Sequence, residues 1–178
     1  MEGDAIRMSV PLYGARTSTN TKNPRMELSE QYHWPLTEGN NRLEATVKIQ
    51  KTIPGVNFDI AQILRHDRNI KFASGKRCPL HVQVEYQTDS NKIKLWWRAA
   101  ECTVKKMLLP KDYNVGEEFN YELAVVDGLM TFKTSKGDNV TIDDFNFLSH
   151  EYDARGVKGY FKTGWRLHPK ASKSPAPP

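Results

Sequence analysis

Apolar and polar residues alternate along most of the chain, in short segments without a sustained helical period. The segments are rich in β-branched and aromatic residues, and clusters of Gly, Pro, Asn or Asp separate many of them at intervals of about 8–12 residues. They are AIRMSVPL, RMELSEQY, RLEATVKIQ, FDIAQILR, LHVQVEYQT, KIKLWWRA, CTVKKMLL, FNYELAVVD, LMTFKTS and VKGYFKTGWRL. This pattern predicts an all-β protein, an antiparallel β-sandwich or jelly roll.

Two hairpins are indicated late in the chain. Asp127-Gly128 lies between apolar strands in VVDGLMTF, and TSKGDNVTI repeats the pattern more loosely. The segment TIDDFNFLSHEY, residues 141–152, is compatible with a short turn of helix.

Length and composition predict one folded domain. The chain has 178 residues, of which 38% are hydrophobic. The last ten residues, PKASKSPAPP, hold four of the ten prolines and almost nothing apolar. We therefore expect a single domain over residues 1–168 and a disordered, Pro-rich tail over residues 169–178.

Charge favours polyanionic partners without choosing among them. Lys and Arg outnumber Asp and Glu by 26 to 21, for a net charge of +5. No apolar run reaches the roughly 18 residues that a membrane span needs, and MEGDAIRMSV lacks the features of a secretory signal. Cys78 and Cys102 are compatible with one disulfide or two buried thiols. No metal-ligand spacing is present, so no metal and no cofactor is expected.

Polar groups in three distant strand-like segments are candidates for a shared surface. Side chains two residues apart in a strand lie on the same face, so each segment presents its polar groups together. The residues are Arg25 and Glu27 in KNPRMELSEQ, Gln62 in FDIAQIL, and Tyr160, Lys162, Arg166 and His168 in GYFKTGWRLH. Guanidinium, carboxamide, phenol and ammonium groups on one face predict a groove for an anionic, hydroxyl-rich ligand.

Four segments, in order, resemble alginate lyases of polysaccharide lyase family seven. GDAIRMSVPLYGARTSTNTKNPRMELSEQ resembles the strand, Thr/Ser-rich loop and Arg-x-Glu-Leu motif of that family, and IAQIL occupies the place of their Gln-Ile-His motif. YNVGEEFNYELAVVDGLMTF is similar to their late hairpin, and YFKTGWRLH to their Tyr-Phe-Lys-Ala-Gly-x-Tyr-x-Gln strand. The resemblance runs from about residue 3 to residue 168.

The resemblance implies a jelly roll with a concave ligand-binding sheet and cleavage of a uronic-acid polymer by β-elimination. In that family an Arg and a Gln bind the substrate carboxylate, a His or Tyr takes the C5 proton, and a Tyr protonates the leaving oxygen. By position, Arg25 and Gln62 match the first pair. Glu27, Lys162 and Arg166 are candidate substrate-binding residues, with Glu27 orienting Arg25.

The chain departs from the family where protons should be transferred. Leu64 stands in place of the His, Arg166 in place of the Tyr, and His168 in place of the final Gln. The candidates to replace the missing groups are Tyr160, His66 and His168. The alternatives are a surface ion pair for Arg25, a backbone-satisfied amide for Gln62, and structural roles for the histidines.

Three functions follow from these residues. The first is a polysaccharide lyase acting on an alginate- or glucuronan-type polymer, secreted as the resemblance implies. The second is an inactive, lyase-derived glycan-binding or adhesion module, motivated by Leu64 and Arg166. Nucleic-acid binding rests on net charge alone and ranks last. No membrane partner is expected, and a homo-oligomer or larger assembly would cover exposed sheet edges.

Overall fold

The computed structural model describes residues 6–10, 24–66, 80–99, 103–142 and 156–169. Within these ranges it contains strands and no helix. The strands are β1 (Arg25–Ser29), β2 (Trp34–Pro35), β3 (Asn40–Lys48), β4 (Val56–Arg65), β5 (Leu80–Gln87), β6 (Lys92–Arg98), β7 (Val104–Asp112), β8 (Glu118–Val126), β9 (Leu129–Thr134), β10 (Asn139–Ile142) and β11 (Lys158–Pro169).

Two antiparallel sheets form the fold. The larger sheet has the strand order β1-β11-β4-β5-β6-β7, with the short β2 also paired to β11. The smaller has the order β10-β9-β8-β3. The strand β11, near the end of the described chain, therefore lies between β1 and β4, so three segments far apart in sequence become neighbours. The predicted all-β sandwich is confirmed.

The core lies between the two sheets. Every second residue of β6 is buried, namely Ile93, Leu95 and Trp97, because successive side chains of a strand point to opposite faces. From the other sheet, Leu123 and Phe132 are fully buried in the same cluster. Burial of such side chains stabilises the fold by about 1.5–3 kcal/mol each, relative to leaving them exposed.

The predicted hairpin at Asp127-Gly128 connects β8 to β9. Val126 pairs with Leu129, and both turn residues have positive φ, 46° and 79°. A two-residue hairpin of this kind needs left-handed backbone at both positions, which Asp and Gly tolerate. The looser TSKGDNVTI pattern corresponds to the β9–β10 connection.

Some sequence predictions differ from the structure or fall outside it. Residues 6–10, the described part of AIRMSVPL, are not in a strand, and the two-residue β2 had no signal in the alternation. Residues 143–152 of the helix candidate, both cysteines and all but the first residue of the proposed tail lie outside the described residues. Within the described residues no helix is long and apolar enough to cross a membrane.

A bulge in β4 sets which side chains share a face. Asp59 pairs with Glu85 and Ala61 pairs with Val84, so Ile60 is an extra residue relative to β5. Simple alternation would place Asp59 and Gln62 on opposite faces. The bulge turns both to the same side, so the Asp59 carboxylate lies on the same face as Gln62.

Candidate functional site

One face of the larger sheet carries the polar side chains, while the opposite face packs on the smaller sheet. The Tyr121 hydroxyl of β8 lies 2.9 Å from the Thr163 hydroxyl of β11, which marks the inner face. We call the outward face of β1, β11, β4, β5 and β6 the polar face. It carries Arg25, Glu27, Asp59, Gln62, Leu64, Gln83, Glu85, Lys94, Trp96, Tyr160, Lys162, Arg166 and His168.

Gln62 and Lys162 are direct neighbours on the polar face. Lys162 pairs in register with Gln62 across β11 and β4, and Gln62 pairs with Gln83 across β4 and β5. Adjacent strands lie about 4.8 Å apart, so these polar groups form one row across the sheet. The row extends to Trp96 in β6.

Arg25 and Arg166 lie directly opposite each other across β1 and β11. Like charges at opposed positions on one face destabilise a sheet unless an anion offsets them. Among the described residues, the Nε atoms of both side chains are buried and have no hydrogen-bond partner. The pair therefore places two guanidinium groups side by side, each with an unsatisfied Nε donor, while Glu27 lies beside Arg25 and Asp59 is the register neighbour of Arg166.

Glu27 bridges two of the cations. Its Oε2 atom lies 3.5 Å from the Arg25 guanidinium and 3.2 Å from the Lys162 ammonium, and its side chain is only 7% exposed. Gly164 permits this arrangement. It pairs with Glu27 at a φ of +130°, and a Cβ there would lie 2.4 Å from the Met26 carbonyl oxygen. Glu27 thus forms ion pairs with both cations; its orienting role stays a prediction.

Asp59 is the centre of a buried hydrogen-bond network. The Gln62 amide donates to Oδ2 and the Gln83 amide to Oδ1, while the His168 Nε2 atom lies 2.9 Å from Oδ2. Burial raises the pKa of Asp59, and the hydrogen bonds from His168 and Gln62 oppose that rise. Gln62 is therefore on the polar face but 2% exposed and already bound to a carboxylate of the chain.

Glu85 extends this network towards β6. Lys94 lies 2.9 Å from its Oε1 atom, and the Gln83 amide donates to its Oε2 at 3.2 Å. The ligand atoms of Asp59, Glu85 and His168 lie within 4.8 Å of one another, a donor set that metals accept. However, the Gln83 amide nitrogen donates to both carboxylates and lies 3.1 Å from His168. An N–H donor thus satisfies the oxygens that a cation would need.

Two imidazoles and a phenol cluster at the other end of the polar face. The His33 and His66 rings lie with their centroids 3.7 Å apart, and the Tyr160 ring lies 5.3 Å from His33 in an edge-on orientation. His66 is exposed and His33 is half-buried. Burial lowers the pKa of His33, and the charge of His66 lowers it further.

The positions where the family resemblance expects proton transfer hold groups unsuited to it. Leu64 lies between Gln62 and His66 on the same side of β4, and its neighbour across β11 is Tyr160. Arg166 is a cation opposite Arg25. The titratable candidates are thus divided, with His66 and Tyr160 beyond Leu64 and with His168 in the Asp59 network.

Trp96 lies on the polar face and Trp97 on the core face, as adjacent residues of a strand must. Trp97 is buried, whereas Trp96 is half-exposed with the Lys94 ammonium 5.4 Å from its ring centroid. Lys106 of β7 is its register neighbour. Trp96 therefore adds an aromatic surface beside the Lys94 ammonium to this end of the face.

Sequence reasoning missed four residues of this surface. Asp59 is a charged residue between apolar neighbours in FDIAQIL, and burying an unpaired carboxylate is costly, so that signal could have flagged it. Glu85 shares one face of LHVQVEYQ with Gln83 and Gln87, a polar stripe like those of the other segments. Gln83 carried the same signal as Gln62. His33 precedes a two-residue strand and had no periodic pattern to assign its face.

The smaller sheet has a shallow polar groove on its outer face, but its groups are paired internally. The Arg42 guanidinium lies 2.7 Å from Glu122, and Lys133 lies 3.6 Å from the same carboxylate. The Thr46 hydroxyl donates to Asn120 at 2.8 Å. This groove therefore lacks the opposed cations of the polar face.

Comparison with known proteins gives a consistent result. The sequence model of the alginate lyase family matches residues 2–176. No curated protein matches significantly. Among solved structures, an alginate lyase from Pseudomonas aeruginosa is 22% identical over 89% of this chain and 70% of its own, with a TM-score of 0.70. A marine family 7 alginate lyase from Zobellia galactanivorans is 20% identical over 84% and 62%, with a TM-score of 0.58. At such identities, the structural likeness shows the fold.

Proposed function

The chain belongs to the alginate lyase family, and on this premise we propose that its polar face binds an anionic uronic-acid polymer and cleaves it by β-elimination. The observation that carries the proposal is the direct opposition of Arg25 and Arg166, with Lys162 on the same strand face. A carboxylate-bearing sugar is the anion that would offset these charges.

Arg25 binds the sugar carboxylate and Gln62 supports it. A guanidinium donates two parallel hydrogen bonds to a carboxylate, which stabilises the enolate-like charge that develops when the C5 proton leaves. The Gln62 amide has two N–H donors, and Asp59 accepts from this amide nitrogen. The other N–H is the one assigned to the substrate. Lys162 and Arg166 hold neighbouring sugars.

The protons are assigned to Tyr160, His66 and His168. Tyr160 is the candidate acid for the leaving oxygen because it lies beside Lys162 on β11, one alternation step along the strand. His66 is the exposed candidate, whereas His168 contacts the buried Asp59 carboxylate. Loss of a positioned acid or base costs about 10²- to 10⁴-fold in rate, so these residues decide whether the protein is an active lyase.

Incubation of the protein with polymannuronate, polyguluronate and polyglucuronate tests the proposal. Elimination creates a C4=C5 double bond, which is followed by ultraviolet absorbance. A Lys162→Gln variant should lose most of the rate. Lys133→Gln, which removes the same charge from the smaller sheet, should not. No absorbance change with any polyuronide would reject catalysis.

The second candidate is a binding module without activity. The observation that favours it is the commitment of Gln62 to Asp59, together with Leu64 at the position of the expected base. Salt-sensitive binding of a polyuronide whose length does not change would support it.

An extracellular location and a homo-oligomer complete the proposal. The location follows from the polymeric substrate class. The oligomer is supported by exposed apolar residues in both edge strands of the larger sheet. These are Met26 and Leu28 in β1 and Val104, Met107 and Leu108 in β7. Sedimentation at two protein concentrations distinguishes a monomer from an assembly.

A further inference from the structure

We propose that His33 is the general base for the C5 proton, and that His66 keeps it in the neutral form. This inference rests on the proposed β-elimination and names the group that replaces the missing base. His33 immediately precedes β2, and no strand motif of the sequence predicts that it belongs to the site.

The position of His33 is fixed by its neighbours in the chain. Trp34 is buried, packs against Phe161 with ring centroids 4.9 Å apart, and donates from its indole nitrogen to Glu30 at 2.9 Å. Glu30 also accepts from the Phe161 backbone N–H at 2.9 Å. The segment before β2 is thus held against β11, and His33 follows it onto the edge of the polar face.

His66 is fixed from the opposite side. It directly follows β4, and its backbone N–H donates to the Lys158 carbonyl of β11 at 2.9 Å. The two imidazoles meet with their centroids 3.7 Å apart. Two rings this close do not both accept a proton readily, because two imidazolium charges repel each other. The pair therefore retains one neutral imidazole at a pH where one ring is charged.

The surroundings of His33 favour that ring as the neutral member. Among the described residues, the groups that face it are His66 from the end of β4, Tyr160 and Lys158 from β11, and Glu30 from the end of β1. Burial, His66 and Lys158 lower the pKa of His33, and Glu30 raises it. A base must be unprotonated to act, and this environment favours the unprotonated form of His33.

The two imidazoles and Tyr160 lie beside Leu64, which stands at the position of the family's His. Leu64 is one alternation step from both Gln62 and His66, about 6.6 Å along the strand. Tyr160 pairs with Leu64 across β11, and its ring contacts His33. A sugar whose carboxylate is bound near Gln62 and Lys162 thus directs its ring towards Tyr160 and the imidazoles.

His33 and Tyr160 together account for both proton transfers of the elimination. An unprotonated ring nitrogen of His33 takes the C5 proton, and the electrons of the C5–H bond form the C4=C5 double bond. The C4–O4 bond breaks, and O4 takes its proton from the Tyr160 phenol. The imidazolium and the phenolate then exchange the proton, directly or through water, which restores both residues.

The test compares kcat/KM across pH for the wild type, His33→Asn and His66→Asn. At pH values above the pKa of His33, His33→Asn should lower kcat by about 10²-fold or more, with little change in KM. Gln31→Asn, an exposed neighbour in the same segment, should leave the rate unchanged. Thermal unfolding midpoints equal to that of the wild type exclude a folding defect. If His33→Asn fails this control, His33→Gln replaces it.

The pH profile shows whether His66 acts by lowering the pKa of His33 or only by supporting the fold around it. Activity falls as pH drops through the pKa of His33. Removing His66 raises that pKa, so the acid limb of the His66→Asn profile should move to higher pH, and NMR titration of the His33 ring should show the same shift. A wild type without cleavage overturns both proposals. If the wild type cleaves the polymer but His33→Asn cleaves it equally fast, this inference alone is overturned. The same holds if the acid limb of the His66→Asn profile coincides with that of the wild type.

Discussion

The two ends of the polar face use polar residues in opposite ways. The Asp59 network, consisting of Asp59, Gln62, Gln83, Glu85 and His168, is mostly buried, and the Asp59 carboxylate accepts hydrogen bonds on both oxygens. The imidazole cluster, consisting of His33, His66 and Tyr160, includes an exposed ring and is held by ring contacts.

The difference indicates that the Asp59 network stabilises the sheet and that the imidazole cluster is the part suited to proton transfer. A saturated buried network fixes the geometry of a sheet but offers few free donors, since each hydrogen bond it makes is one that a ligand cannot use. An imidazole that keeps an exposed edge remains able to exchange protons with a ligand. We therefore expect substitution of Asp59, the centre of the buried network, to change mainly stability, and substitutions in the imidazole cluster to change mainly rate.

The largest effect should follow removal of the network centre. Asp59→Ala leaves buried donors on Gln62, Gln83 and His168 without their acceptor, which should lower the free energy of unfolding by about 3 kcal/mol. Urea unfolding measures it. Asp112→Asn, which removes an exposed carboxylate paired with Lys92, should cost less than about 1 kcal/mol. Similar losses for the two variants would show that Asp59 is not the centre of a supporting network.

Removal of one cation should weaken ligand binding without unfolding the protein. Lys162→Gln leaves Glu27 paired only with Arg25, so the face becomes less positive. We expect about a tenfold loss of affinity for a polyuronide oligomer, equivalent to about 1.4 kcal/mol, by calorimetry. Lys133→Gln on the smaller sheet is the matched control. An equal loss with both variants would reduce the interaction to net charge.

A smaller effect should appear at the far end of the polar row. Trp96→Ala removes an aromatic surface next to Lys94 and Lys106, which we expect to contact a sugar ring. Loss of about 1 kcal/mol, or about fivefold in affinity, is in the range of aromatic contacts. The loss should occur with long oligomers and vanish with short ones. An identical loss at all lengths would place Trp96 outside the binding row.

The smallest effect is the pH dependence of stability at the imidazole cluster. The pKa of His33 is lowered in the folded protein, so its contribution to stability is complete above pH 6.5 and is lost as pH falls through the folded pKa. Relative to His33→Gln, the wild type should lose stability between pH 6.5 and that pKa. Urea midpoints at successive pH values measure this. Parallel curves for both proteins would contradict the lowered pKa.

Much of the fold was predictable because alternation and turn chemistry are local. The β8–β9 hairpin follows from Asp127-Gly128, and the strand containing Arg25 and Glu27 follows from side-chain parity. Asp59 was not predictable in this way. Its face depends on the Ile60 bulge, a property of pairing with β5 that no short pattern in β4 encodes.

The site was predictable in part for the same reason. The sequence indicated that Gln62 and Lys162 belong to one face, and the register makes them neighbours. It did not indicate that Asp59 would bind the Gln62 amide. Nor could it bring His33 to His66, because that contact depends on how the segment anchored by Trp34 lies against β11.

Backbone amide NMR, during titration with a size-defined uronic-acid oligomer, tests most directly whether the polar face is the binding surface. Binding at the polar face should give saturable shifts that cluster on β1, β4 and β11 around Glu27, Gln62 and Lys162, and that weaken as salt is added. Shifts confined to the outer groove of the smaller sheet, around Thr46 and Glu122, would contradict it.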